Sequence, residues 1–136
     1  MSTTTLTVTS PVTLVAAGTS NAAGATTRGT ADVRGSLGGF VTAKITNGAT
    51  GPTAQCEGRV LVAHTTGTTP AAGSAGADWK TIWRFGGGTA NNGVTESGAI
   101  EVPFGTQHIA VEFTGNTGQA VTVEAVLTRV DSAASV

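Results

Sequence analysis

The sequence predicts an all-β fold, an antiparallel two-sheet sandwich of jelly-roll type with about eight or nine strands. Three observations lead there. Apolar residues recur with period two, as they do in half-buried strands. The periodic runs are built from Thr and Val, whose branched Cβ suits a pleated sheet and loses rotamer freedom in a helix. Glycine is spread along the chain, 20 of 136 residues, and leaves no stretch suited to a long helix.

The elements follow in order. Leu6 and Val8 alternate with Thr5, Thr7 and Thr9. Pro11 breaks or bulges that strand, and Val12 to Val15 resume it. Residues 17 to 30, "AGTSNAAGATTRGT", have no period and read as a long surface connection. A short strand runs through Ala31, Val33 and Gly35. From Phe40 to Thr46, Val41, Ala43 and Ile45 alternate with Thr and Lys. "TNGATGPT" then turns the chain with Gly48, Gly51 and Pro52, and Arg59 to Thr65 is the next strand. Residues 66 to 77, "TGTTPAAGSAGA", read as a mobile loop. Trp79 to Phe85 is a strand, and "GGGTANNGVTES" is another loop. Ala99–Val102, His108–Phe113 and Val121–Val130 close the chain. The last two runs flank "TGNTGQ", where Gly115 and Gly118 allow positive φ, so they read as a hairpin.

The length fits one domain, residues 1–136, large enough to bury a core without staples. The first five residues and "DSAASV" (131–136) have no apolar period and read as a mobile arm and tail. Seven basic and eight acidic side chains nearly cancel, so no basic patch points to nucleic acid. Charged residues make up 11% of the chain, against about 25% in typical domains. Such a surface can lie against another protein without desolvating many ions. The N-terminus has no basic stretch followed by an apolar core, so no signal peptide is expected. No run is long enough for a membrane span. Synthesis in the cytoplasm as a soluble protein is the expectation.

Chemistry-bearing groups are few. The single cysteine, Cys56, has no internal disulfide partner and no adjacent base in sequence. His64 and His108 lack the spacing of a metal motif and read as polar strand-face or interface residues. Glu112 and Glu124 read as cross-strand neighbours on the solvent face of the last hairpin, with Lys44 or Arg129 nearby to relieve their repulsion. "GGG" at 86–88 lacks the Lys of a phosphate loop. No nucleophile–base pair can be named, so no catalytic, metal or cofactor site is expected.

"DWKTIWRF" (78–85) is the most distinctive stretch. In a regular strand Trp79, Thr81, Trp83 and Phe85 share one face. That face is expected to pack between the sheets, with Trp83 in the core and Trp79 at the rim. The other reading is an exposed platform that stacks on a sugar or covers a neighbouring subunit.

"GGFVTAKITNGATGPTAQCEGRVLVAH" and "IEVPFGTQHIAVEFTGNTGQAVTVEAVLTRV" resemble the small β-sandwich cement, or decoration, proteins of tailed-phage capsids. The resemblance runs from about Phe40 onward and loosely over the first third. Its motifs are structural, so it brings no catalytic residues. It implies a protein made in the host cytoplasm that binds the major capsid protein in many copies at the capsid surface. It also implies a dimer or trimer, with the Thr-rich first strand or the last two runs at the contact. Candidate interface residues are Leu6, Val8, Trp79, Trp83, Glu112 and Glu124. The alternative is a carbohydrate- or receptor-binding module of a tail or fibre, using Trp79 and Trp83.

Overall fold

A computed structural model describes residues 4–73 and 78–135, and it is all β. The described residues form ten strands: β1 (Thr4–Val8), β2 (Val12–Asn21), β3 (Thr27–Asp32), β4 (Ser36–Asn47), β5 (Glu57–Ala63), β6 (Lys80–Gly86), β7 (Val94–Glu96), β8 (Ile100–Val102), β9 (His108–Thr114) and β10 (Val121–Ser135). They make two antiparallel sheets. The second has the order β3-β9-β5-β6. The first has six strands in four positions. β1 and β2 follow one another along one side of β10, β4 lies on its other side, and β7 and β8 share the far side of β4.

This order is that of a jelly roll. Chain positions pair from the outside in: β1 and β2 with β10, β3 with β9, β4 with β7 and β8, and β5 with β6. The ribbon so formed rolls up through the ladders β10–β4 and β9–β5. Each arm of the ribbon therefore alternates between sheets, and both inner faces bury apolar side chains.

The two outer positions split for visible reasons. Pro11 cannot donate to the ladder, so β1 ends at Val8 and β2 starts at Val12 along the same side of β10. Between β7 and β8 the Ser97 hydroxyl accepts the Ala43 N–H at 2.9 Å, and the Ser97 N–H reaches the Ala43 carbonyl at 2.9 Å. The eight or nine expected strands thus become ten, in eight positions.

The core lies between the sheets. Val41, Ala43 and Ile45 of β4 and Val121, Val123, Ala125 and Leu127 of β10 face Val60 of β5 and Ile109, Val111 and Phe113 of β9. Phe113 is the aromatic among the fully buried side chains. The rest are small and branched, as expected where period-two strands stack face to face.

Three expectations are corrected. β9 and β10 are not a hairpin: β9 pairs β3 and β5, while β10 lies in the other sheet. The turn residues are real, with φ of +95° at Gly115 and +79° at Gly118, but the turn carries the chain from one sheet to the other. Residues 17–30 are not one connection: β2 runs to Asn21, and β3 occupies 27–32, upstream of the strand expected at 31–35. β3 shows no apolar period because its inward positions are Gly29 and Ala31. A Cβ at Gly29 would lie 2.2 Å from the Leu14 carbonyl oxygen, so only glycine lets β2 cross there. The loop read over "GGGTANNGVTES" contains β7. Residues 4–5 of the expected arm and 131–135 of the expected tail lie in β1 and β10, with Thr4 opposite Ser135; residues 1–3 and 136 lie outside the described residues.

One end of the sandwich is tied by buried amides. Asn21 ends β2, Asn47 ends β4, and Asn116 sits between β9 and β10; all three are buried. Asn21 Nδ2 donates to Asn116 Oδ1 at 2.6 Å, and Asn116 Nδ2 donates to the carbonyls of Asn21 at 3.1 Å and Gln119 at 3.0 Å. Asn47 Nδ2 lies within bonding distance of the carbonyls of Gly87, Gly88 and Ala90. The stretch from Lys44 to His64 is therefore more than a turn, because Asn47 pins it to the loop before β7. Asn116→Ala should cost on the order of 2–4 kcal/mol, since it strands several buried carbonyls. Asn91→Ala, which removes one exposed bond to the Gly51 N–H, should cost less than about 1 kcal/mol. Urea unfolding of the two variants checks the ranking.

Candidate interaction surfaces

The outer face of the second sheet carries a row of charges set by register. Arg28 of β3 is opposite Glu112 of β9, Glu112 is opposite Arg59 of β5, and Arg59 is opposite Arg84 of β6. Glu112 binds Arg28 in a tight ion pair and lies 3.7 Å from Arg59 Nη1. Glu57 takes the remaining cations, 2.6 Å from Arg59 Nε and 3.5 Å from Arg84 Nη1. Opposite charges facing each other across strands are favourable, so Glu112 joins Arg28 and Arg59, while Glu57 offsets the like-charged Arg59–Arg84 pair at the end of a row that spans the whole sheet. Glu112 is thereby spent within the molecule.

Trp79 belongs to the same assembly. The Arg28 guanidinium lies 4.8 Å from the centre of the Trp79 ring, a cation–π distance. Arg28 Nη2 is buried without a hydrogen-bond partner, and the ring supplies a contact instead. The indole N–H donates to the Pro70 carbonyl at 3.3 Å. The segment after β5 is fastened at its neck by Asp78, whose carboxylate accepts the His64 N–H at 2.7 Å and the Thr65 hydroxyl at 3.1 Å. His108 is fully buried, with Nε2 at 2.9 Å from the Gly67 carbonyl and Nδ1 at 2.9 Å from the Thr69 hydroxyl. A carbonyl only accepts, so Nε2 is the donor and Nδ1 faces the hydroxyl. His108 is a clip for this loop, while His64 is exposed beyond the end of β5.

Nearby, Arg34 holds the Asp32 carboxyl down, from 3.8 to about 2, first through side-chain and then through backbone hydrogen bonds. Arg34 Nη1 also donates to the Thr66 carbonyl at 2.6 Å. A depressed carboxyl favours the folded state above its ordinary pKa and loses that effect as pH falls through its folded value. The pH-dependent part of the stability difference between the wild type and Arg34→Ala should be complete above pH 3.8 and fade as pH falls to about 2. Carboxyl NMR titration should show Asp32 returning toward 3.8 in the variant.

β6 departs from the regular strand expected there. Val60 is opposite Trp83 but Leu61 is opposite Thr81, so Ile82 is an extra residue in a bulge. Ile82 and Phe85 pack against the core. Trp83 is 47% exposed, which corrects the expectation that it lies between the sheets. With Thr81, Ile82 and Arg84 it borders an open hollow of about 340 Å³. The two tryptophans are not a shared platform, because Trp79 is engaged by Arg28. Trp83→Ala should therefore cost about 1–2 kcal/mol, the lower range for a partly buried large side chain. Trp79→Ala should cost more, about 2–3 kcal/mol, through the lost stack and indole bond. In Trp79→Phe the remaining Trp83 should be readily quenched by acrylamide, whereas Trp79 in Trp83→Phe should be shielded.

The outer face of the first sheet is different. Lys44 of β4 stands between Glu124 of β10 and Glu96 of β7 in direct register. Two shallow hollows, about 220 and 170 Å³, share Lys44 and Glu124. Lys44 does lie beside Glu124, as the sequence suggested. Glu112 and Glu124, however, are on different sheets and are not neighbours. Toward the other end of this sheet the surface is apolar: Leu6 is 59%, Val8 65% and Phe40 44% exposed. Val8 is opposite Val130 and Phe40 is opposite Thr128.

Sequence reasoning singled out Leu6 and Val8, which are exposed, and missed the Arg28–Trp79 stack and Phe40. Cys56 is fully buried, and burial pushes its thiol up to about 11, which suits packing rather than nucleophilic chemistry. Among the described residues no three His, Cys, Asp or Glu side chains gather as metal ligands would.

No protein-family model matches the chain, and no curated protein matches it. Similar solved structures are found. The K3 cleaved adhesin domain of Lys-gingipain from Porphyromonas gingivalis W83 aligns with a TM-score of 0.53 at 14% identity, over 81% of this chain and 72% of that one. The SPBc2 prophage-derived protein YomS aligns at 0.43 and 15% identity, over 93% and 96%. VP2 in the subviral particle of infectious bursal disease virus aligns at 0.46 and 11% identity, over 93% of this chain and 33% of that one. At 14% identity the likeness to the adhesin domain speaks to the fold alone.

Proposed function

We propose that this chain is a structural virion protein that decorates and cements a tailed-phage capsid, bound in many copies to the major capsid protein at the capsid surface after synthesis in the host cytoplasm. The observation that carries this reading is the distribution of charge. The chain has no charged residue before Arg28, and Leu6, Val8 and Phe40 stand exposed on the first sheet. The charges of the second sheet are largely paired with one another. Such a molecule offers a broad apolar and hydroxyl-rich flank whose burial desolvates few ions. The resemblance of its central and C-terminal segments to phage decoration proteins points the same way.

A second reading rests on Trp83. Its exposed ring, beside Arg84, could stack on a sugar in a tail or fibre module. With Trp79 held by Arg28, that surface offers one ring rather than two, which favours the capsid reading.

Two titrations separate them. Purified protein should bind expanded, undecorated capsids saturably, and Phe40→Asp should weaken that binding at least about tenfold by placing an ion in the contact. Adding bacterial surface polysaccharide should leave the tryptophan fluorescence unchanged. A polysaccharide-dependent shift abolished by Trp83→Ala, with no capsid binding, would replace the first reading with the second.

A further inference from the structure

We propose that β1 is a dimerisation strand. Two copies pair their β1 strands antiparallel about a two-fold axis near Leu6, joining their first sheets into one continuous sheet.

An open edge is a template for pairing, and proteins protect it with charge, brevity or cover. The second sheet ends at β3, with Arg28 and Asp32, and at β6, with Lys80 and Arg84. The far edge of the first sheet consists of β7 and β8, three residues each, with Glu96 and Glu101. On the near edge β2 is broken up: β3 crosses so close at Leu14 that only Gly29 fits, and the ladder of β2 with β10 shifts register on both sides of Ala125, irregularities that protect an edge. β1 remains. It pairs β10 on one side, has no charge and no proline, and carries Leu6 and Val8 at 59% and 65% exposure.

Charge also selects the occupant. Pairing β1 with β3, β6, β7 or β8 would bring an ion to the seam. β2 is uncharged but is interrupted by its bulges and by the crossing at Leu14, so β1 against β1 is the regular pairing that brings no ion. A two-fold contact closes after two copies, so an unprotected edge of this kind need not propagate into a filament. Antiparallel pairing about Leu6 sets the two Leu6 residues opposite each other, and Val8 of each copy extends the apolar stripe on the same face.

The test uses the full-length protein without capsids, so its outcome is separate from that of the virion reading. Sedimentation should show a concentration-dependent dimer. Leu6→Lys should weaken it at least about tenfold, because like charges then meet across the two-fold axis, and Val8→Lys should weaken it less, by placing an ion in the apolar stripe. Both should keep a native circular dichroism spectrum, and Val94→Lys on β7 should leave the dimer intact. As a readout independent of the lysine variants, Leu6→Cys should oxidise to a covalent dimer much faster than Ser10→Cys. Opposed Cα atoms in a ladder lie within the roughly 4.4–6.8 Å reach of a disulfide, and buried Cys56 does not compete. A monomer at every concentration would overturn the proposal and give the edge to a strand of another protein. An undiminished dimer in both lysine variants, or equal oxidation of the two cysteine variants, would overturn it as well.

Discussion

The first sheet hangs on β10. That strand is hydrogen-bonded along both sides, to β1 and β2 on one and to β4 on the other. Ladders on both sides fix which way each of its side chains points. A one-residue slip would turn Val121, Val123, Ala125 and Leu127 out of the core together. The same register places Glu124 opposite Lys44 on the outside. Every other strand of this sheet takes its position from β10 or from β4, which β10 positions. The price is that the last strand to be made must be in place before the first strands have anything to pair with, so this is a fold of long-range contacts.

That dependence explains what could be read from the sequence. Period two survives wherever a strand has one buried and one wet face, so β4, β5, β9 and β10 were legible as strands. Pro11 marked the split between β1 and β2 because its effect is local. What failed was non-local. "TGNTGQ" has the residues of a hairpin turn and the φ values to match, yet the ribbon pairs β9 with β3 and β10 with β2. Adjacent runs around glycine look alike whether the chain returns along the same sheet or crosses to the other. β3 was invisible for a related reason: its inward positions are Gly29 and Ala31 because β2 crosses there, and no apolar rhythm remains.

The surfaces were partly legible, and the failures have named causes. Leu6 and Val8 were found because an apolar residue on a threonine-rich strand stands out. Glu112 was misread because its partner Arg28 lies on a strand that the sequence did not reveal. Trp83 was misread because Ile82, the extra residue of the bulge, packs on the core with Phe85 while Trp83 stays half-open on an edge strand, and a bulge in β6 has no glycine to announce it. The Arg28–Trp79 stack joins residues from opposite edges of a sheet, far apart in sequence. Neither partner looks unusual alone.

The two outer faces therefore serve different ends. On the second sheet, the ion row is paired within itself, and the Arg28–Trp79 stack and the His108 clip hold residues 67–70 after β5. That face uses its polar groups internally and has few left for a partner. On the first sheet, Lys44 and its two glutamates leave an ionic centre, with Leu6, Val8 and Phe40 toward one end. The amides of Asn21, Asn47 and Asn116 tie the loops at one end of the sandwich, so the strands between them are presented on a braced frame. A protein that must add contact area to another surface gains from such rigidity, because little conformational freedom remains to be lost on binding. In this fold the rigid element nearest the exposed apolar residues is β10. Any contact made through β1 is thus carried directly into the strand that organises the first sheet.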